Sequence, residues 1–369
     1  HLHWLPRRLH STAVKVSTSA ASSMANKRAL EEITMATEQE SLANKDTSAG
    51  SFQREPTVFH HRIGSEAYPA ASGRYRLYVA PACPWACRCW LTLTLKGLEG
   101  VVAVTLTGDR LANISFEPPW DAYHGWDFTA ASEEPHGFAF IDELYEHASP
   151  GYRASHEDVG KRPCYSVPVL FCELTQSIVS TESAEIIEML NSEFNALPET
   201  KRPLLDLSPP TLKQSIDSVN AIVYPSINDG VYRCGFATSQ EAYESAYEAH
   251  WKGMDEVEEL LSTQRFLCGD VLTLADVRLF PSLVRYDAVY YSHFKTSRST
   301  LRHDMPNLHR FLRDVYRLPG VASTVRVERC KGHYYESQRM VNPSGVVPKG
   351  PDFEAFFADA IGLPPPYEL

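Results

Sequence analysis

Residues 73–88 read GRYRLYVAPACPWACR. Tyr75-Arg76-Leu77-Tyr78-Val79 alternates and is rich in β-formers, which predicts a strand. The chain then turns through Pro81-Ala82-Cys83-Pro84-Trp85. Proline is tolerated at the first position of a helix, because the N–H it lacks would have had no helical partner there. A helix is therefore expected from here through Lys96, with Gly97 and Gly100 flanking its end. Val101-Val102-Ala103-Val104 predicts a second strand. Strand, helix and strand in this order make a β-α-β unit.

Downstream, the stretch from Thr107 to Glu134 reads as a long loop, with Pro118, Pro119 and Tyr123-His124-Gly125-Trp126 inside it. Phe140 to His147 predicts a short helix or turn. Val167-Pro168-Val169-Leu170-Phe171-Cys172 is a strand entered through proline, and Ser177-Ile178-Val179 is its partner across a turn at Glu173–Gln176. Thr181-Glu182-Ser183-Ala184 opens a helix carrying Ile186, Ile187 and Leu190. Residues 74–195 thus read β-α-β, loop, β-β-α, the order of a thioredoxin-like domain.

After a linker at 195–210 the period changes to helical. Leu212, Ile216, Val219 and Val223 recur at helix spacing, and a helix is expected from about Ser239 to Leu261. Thr238 with Glu241, and Thr273 with Asp276, read as capping boxes. Phe311, Val315 and Leu318 mark a further helix stopped by Pro319-Gly320. The expected second domain is all-α and spans 205–328. Residues 1–50 read as a disordered or targeting-like tail, 51–73 as an irregular arm, and 329–369 as a C-terminal extension packed over the body.

The formal net charge of −11, from 46 acidic against 35 basic residues, disfavours nucleic acid or an anionic membrane as a general partner. No apolar run is long enough for a membrane span, and no signal-peptide core is evident. The eight cysteines do not form a secreted disulfide pattern, so a reducing, cytoplasmic compartment is expected. The basic, Ser- and Ala-rich residues 1–30 also suit a mitochondrial targeting segment.

Cys83 carries the chemistry. At a helix start, exposed N–H groups favour negative charge, and the expectation is a lowered thiol pKa. Cys87 lies four positions on, a helical turn away, so an external thiol is the natural second reactant. Cys83, Cys87 and Cys89 lack the spacing of a zinc site, and no metal is expected. The backbone at Val167 and Pro168 can pair with an extended peptide. Glu182 and Ser183, at a helix start, can hold an ammonium and a carboxylate.

The chain resembles the glutathionyl-hydroquinone reductases, or Xi-class glutathione transferases, over roughly 52–352. The resemblance rests on GRYRLYVAPACPWACR at 73–88, YHGWDF at 123–128, VPVL at 167–170 and TESAEII at 181–187. It continues in NDGVYRCGFATSQEAY at 228–243, ADVRLFPSLVRYDAVYYSHFK at 275–295 and GHYYESQRMVNPSGVVPKGP at 332–351. It implies a catalytic Cys83, a glutathione site at Trp126, Val167, Pro168, Glu182 and Ser183, and tyrosines Tyr232 and Tyr334 at the aromatic substrate. Arg285, Tyr286 and His333 fall in motifs near that pocket. A homodimer and glutathione as co-substrate are also implied. The chain departs from the family pattern at Cys87, where histidine is typical, and at Ser180-Thr181, Thr296 and Cys164–Ser166. A broader thiol transferase or dehydroascorbate reductase, a non-catalytic glutathione or aromatic-ligand binder, and a structural subunit are the rival readings.

Overall fold

The computed structural model describes residues 50–54, 56–112, 120, 122–129, 133–352 and 357. The expectations for residues 1–49 and 358–369 lie outside the described residues. Strand β1 (Tyr75–Val79) runs parallel to β2 (Val102–Leu106), and helix α1 (Pro84–Lys96) crosses between them. Gly97 ends α1 in the left-handed region at φ 67°, where its N–H returns to the Leu93 and Thr94 carbonyls. Strand β5 (Val169–Cys172) pairs antiparallel with β1, and β6 (Ser177–Ser180) with β5, giving the sheet order β2-β1-β5-β6. This is a thioredoxin-like sheet.

The segment expected as a loop carries structure of its own. Strands β3 (Leu111–Ala112) and β4 (Gly125–Trp126) pair within it, then come helices α2 (Ile141–Ala148) and α3 (Tyr152–Glu157). The first two strands are two residues each, too short to show a period of two. Among its described residues the arm contains no regular element, but it adds to the sheet edge. His60 bridges Ser180, and the His61 N–H donates to the Val179 carbonyl at 2.8 Å.

Helix α4 (Ser183–Ser192) closes the first domain. The second is all-α, built on α5 (Lys213–Val223), α6 (Gly230–Gly235), α7 (Gln240–Thr263), α8 (Leu274–Val284), α9 (Pro306–Tyr316) and α10 (Val327–Gly332). Helix α1 packs on α4 on one side and α8 on the other. It is buried almost throughout, including Arg88 and Lys96. Its N-terminus therefore opens where the two domains meet.

The cap of α7 differs from the expected one. Ser239, not Thr238, is the N-cap and accepts from the Ala242 N–H at 3.2 Å. Thr238 instead donates through its hydroxyl to the Gly50 carbonyl at 3.4 Å, so the arm recruits it. At α8 the capping box of Thr273 and Asp276 is present. The Asp276 carboxylate is fully buried and also accepts from the Leu267 N–H at 2.8 Å. Asp276→Ala strands that N–H and the two Thr273 donors. It should cost about 2–4 kcal/mol of stability, read as a lowered urea midpoint at unchanged slope. Among the described residues no helix is long and apolar enough to cross a membrane, and no group of three His, Cys, Asp or Glu is placed to hold a metal.

Candidate active site

Cys83 is the N-cap of α1, with extended backbone at φ −81° and ψ 118°. It is only partly buried, and its Sγ lies 3.4 Å from the Val167 carbonyl, to which the thiol donates. The Val167–Pro168 bond is cis. Cys83 and the proline-entered strand are thus brought together. The turn before Cys83 is held from the other domain. The buried Arg285 guanidinium donates to the Pro81 carbonyl at 2.8 Å and the Ala82 carbonyl at 3.0 Å. It also reaches the Pro281 carbonyl at 2.5 Å and Cys87 Sγ at 3.0 Å.

The expected lowering of the Cys83 pKa is corrected by its surroundings. Burial pushes the thiol up to about 11, with the neighbouring Cys87 in the same direction. The helix-start N–H groups of Ala86 and Trp85 and the Arg285 charge pull it down, as the helix-start argument requires, but burial outweighs them.

A set of phenols packs against Trp85, two residues beyond Cys83, with the Tyr232 ring 6.4 Å from the indole. Tyr232 Oη and Tyr334 Oη are 2.6 Å apart, and Tyr290 Oη is 3.2 Å from Tyr334 Oη. All three rings are buried. Burial pushes the Tyr232 phenol up to about 12, and the negative charge of an ionised Cys83 would act in the same direction. Tyr290 and Tyr334 sit in two five-residue π-turns, Tyr286–Tyr290 and His333–Ser337, and Tyr232 follows a third, Tyr224–Asn228. Such turns concentrate at functional sites because they re-aim side chains within a helix.

Glu182 is the N-cap of α4 and accepts from the Ala184 N–H at 2.9 Å. Ser183 is buried behind it, and its carbonyl receives the Cys89 thiol of α1 at 3.7 Å. The Trp126 and His333 rings pack together at 4.7 Å, tilted by 32°, both buried. Burial, then the charges of His293 and Arg285, lowers the His333 pKa to about 3, so this ring is neutral.

Arg285 and Tyr286, both expected near that pocket, differ in placement. Arg285 spends its donors on the active-site turn and Cys87. Tyr286 is fully buried against α7, with its hydroxyl 3.0 Å from His250 Nε2 and 3.2 Å from the Thr296 carbonyl. The reading of the sequence missed Tyr290 and Arg54. The Arg54 guanidinium lies 4.7 Å from the Trp85 ring and 4.9 Å from that of Tyr232. Tyr290 shares the YDAVYY run with Tyr286, so its signal was present. Arg54 stands in an aperiodic arm and had none.

Comparison with known proteins agrees with this architecture. The family described as "Glutathione S-transferase, N-terminal domain" matches residues 82–193, and "Glutathione S-transferase, C-terminal domain" matches 240–314. Glutathionyl-hydroquinone reductase YqjG of Escherichia coli is 37% identical over 319 residues, covering 83% of this chain and 90% of that protein. The glutathione transferase Xi of Phanerochaete chrysosporium superposes with a TM-score of 0.74 at 39% identity, covering 82% of this chain and 93% of the other. The glutathione-bound structure of YqjG superposes at 0.70 with 36% identity, covering 83% and 96%. A thioredoxin-like domain with cysteine at the head of α1, joined to an all-α domain and matched across most of its length by these relatives, makes this chain a member of the Xi-class glutathione transferase, or glutathionyl-hydroquinone reductase, family.

Proposed function

We propose that this chain reduces glutathionyl-hydroquinones to hydroquinones at the expense of glutathione. The observation that carries the reading is Cys83 Sγ at 3.4 Å from the Val167 carbonyl, with Trp85, two residues on, packed 6.4 Å from the Tyr232 ring that heads the phenol set. A sulfur-containing tripeptide needs the first, and an aromatic leaving group needs the second. Glu182 and Ser183, at the start of α4, suit the γ-glutamyl ammonium and carboxylate. The backbone at Val167 and Pro168 suits the tripeptide's main chain, and Trp126 belongs to the same assignment.

In the first step the Cys83 thiolate attacks the sulfur of the conjugate. The S–S bond forms, the sulfur–aryl bond breaks, and the aryl carbon takes the bonding pair and a proton. Hydroquinone leaves, and Cys83 carries glutathione as a mixed disulfide. A second glutathione thiolate attacks the glutathione sulfur of that disulfide, releasing oxidised glutathione and regenerating Cys83. Tyr232 and Tyr334 hydrogen-bond the phenolic oxygens and pass the proton, with Tyr290 sharing it along the chain. Assembly as a homodimer belongs to the same reading.

Mass spectrometry of wild-type protein quenched during turnover should find one glutathione on the peptide containing Cys83. Steady-state rates with glutathionyl-menadiol should exceed those with a simple glutathione mixed disulfide. The reverse order, with the adduct still present, would favour a general thiol transferase.

The pH dependence has a definite sign. Only the thiolate attacks, and burial sets its midpoint near 11, high in the accessible range. Between pH 7 and 10 its fraction rises about tenfold per unit. Site-resolved alkylation of Cys83 by iodoacetamide should rise in step; a plateau already reached at pH 7 contradicts it.

A further inference from the structure

The N-terminal arm enters the active site from outside both domains. Gly50 accepts from the Thr238 N–H at 3.0 Å, and the Phe52 ring packs on Phe236 at 5.2 Å. These two contacts fix the segment against the helical domain. Two residues later, Arg54 reaches over the Trp85 and Tyr232 rings. Its Nε and Nη2 both lie 3.0 Å from Asp229 Oδ1, at the start of α6. Among the described residues its recorded hydrogen bonds go to Asp229 alone, so the remaining N–H groups of the fork are available for a ligand.

Three guanidiniums stand near Trp85 and Cys83, and they differ in what they can do. Arg88 and Arg285 are each 2% exposed. Arg88 lies 4.5 Å from Trp85 and is directed to the Arg278 carbonyl, while Arg285 is committed to the active-site turn. The Arg54 side chain is 34% exposed. Burial works against its charge, but Asp229, Tyr232 and Tyr224 more than offset it, so it stays cationic. Apart from Asp229, its own partner, and the buried Arg88, the side chains against Arg54 are the neutral rings of Phe52, Trp85 and Tyr232. Stacking of a guanidinium on aromatic faces fixes its plane and leaves its edge to hydrogen-bond an oxyanion.

We propose that Arg54 determines substrate specificity in the aromatic pocket, and that the favoured ring carries an anionic oxygen substituent, a carboxylate or an acidic phenolate, which Arg54 receives at its edge. The inference rests on the proposed reaction for the identity of the site, and it adds the charge class of the substrate. The arm thereby becomes part of the binding site, with Asp229 orienting the fork.

The test compares two ligand pairs that differ by one carboxylate. For turnover, the pair is the glutathione conjugate of hydroquinone and that of 2,5-dihydroxybenzoate. For binding, it is the two free rings, followed by tryptophan fluorescence. Wild type should prefer the carboxylated member by about tenfold in kcat/KM, mainly through KM, and by a similar factor in Kd. Arg54→Met should erase the preference in both measurements, and Arg54→Lys should keep part of it. Equal losses on both ligands in Arg54→Met would reduce Arg54 to a support for the pocket and overturn the proposal. So would the absence of any preference in wild type. If neither conjugate turns over but the carboxylated ring still binds tighter in an Arg54-dependent way, the specificity stands and the proposed reaction falls.

Discussion

Cys83→Ser should abolish turnover of a glutathionyl-hydroquinone, by about a thousandfold or more, while the protein keeps its fold. Two arguments separate the effects. Attack by a serine oxygen on the conjugate's sulfur would have to form an S–O bond in place of a disulfide, with no glutathione-resolvable product. The chemistry therefore has no slower version of itself to fall back on. Stability runs the other way. Cys83 is an N-cap whose side chain makes no capping bond, and serine is among the preferred residues there. The melting temperature of the variant should hold or rise by the few degrees that about 0.5–1 kcal/mol of capping supplies. A folded, inactive Cys83→Ser protein that still binds glutathione makes the cysteine the nucleophile. Undiminished turnover would reject Cys83 as the nucleophile.

The two kinds of signal in the sequence fared differently for physical reasons. Alternation at Tyr75–Val79, proline after Cys83 and glycine at 97 are local rules, each with one geometric solution, so the β-α-β unit was legible residue by residue. The second strand of that unit sits at Val102–Leu106, slightly later than the apolar run suggested, since Val101 still belongs to the turn from α1. The aromatic pocket was only half legible. Its tyrosines sit in or beside π-turns, where the usual spacing of three or four residues no longer reports which side chains share a face. Tyr286 and Tyr290 therefore look equivalent in sequence, yet one packs on His250 and the other bonds Tyr334. Arg54 illustrates a different limit. It is placed by contacts 175 residues away in sequence, through Asp229, and nothing local announces them. The Cys83 pKa belongs to the same class. Helix position can be read from the motif, but the burial that outweighs it depends on the closure of sequence-distant segments, at Val167 and Arg285, around this partly exposed residue.

Arg285 is where that closure is most exposed to test. Its side chain carries no exposed surface of consequence and joins the end of α8 to the turn before Cys83 through the Pro81 and Ala82 carbonyls and to α1 through Cys87 Sγ, while also bonding the Pro281 carbonyl of α8 itself. Arg285→Met removes every donor and leaves the carbonyls of Pro81, Ala82 and Pro281 without that partner. At about 1–3 kcal/mol for each buried polar group left unsatisfied, less what relaxation recovers, the cost should be about 3–5 kcal/mol. Urea unfolding should show it directly. Activity should fall further than stability alone explains, because the turn that aims Cys83 is no longer held. Arg285→Lys and Arg285→Gln separate charge from geometry. Both lose the fork and should both misplace the turn. Lysine keeps a positive charge near the thiol, whereas glutamine does not. Since Arg285 is among the groups pulling the Cys83 pKa down, the alkylation profile of Cys83 should move to higher pH in Arg285→Gln and less in Arg285→Lys. Identical profiles in the two variants would confine Arg285 to holding the turn and remove it from the electrostatics of the sulfur.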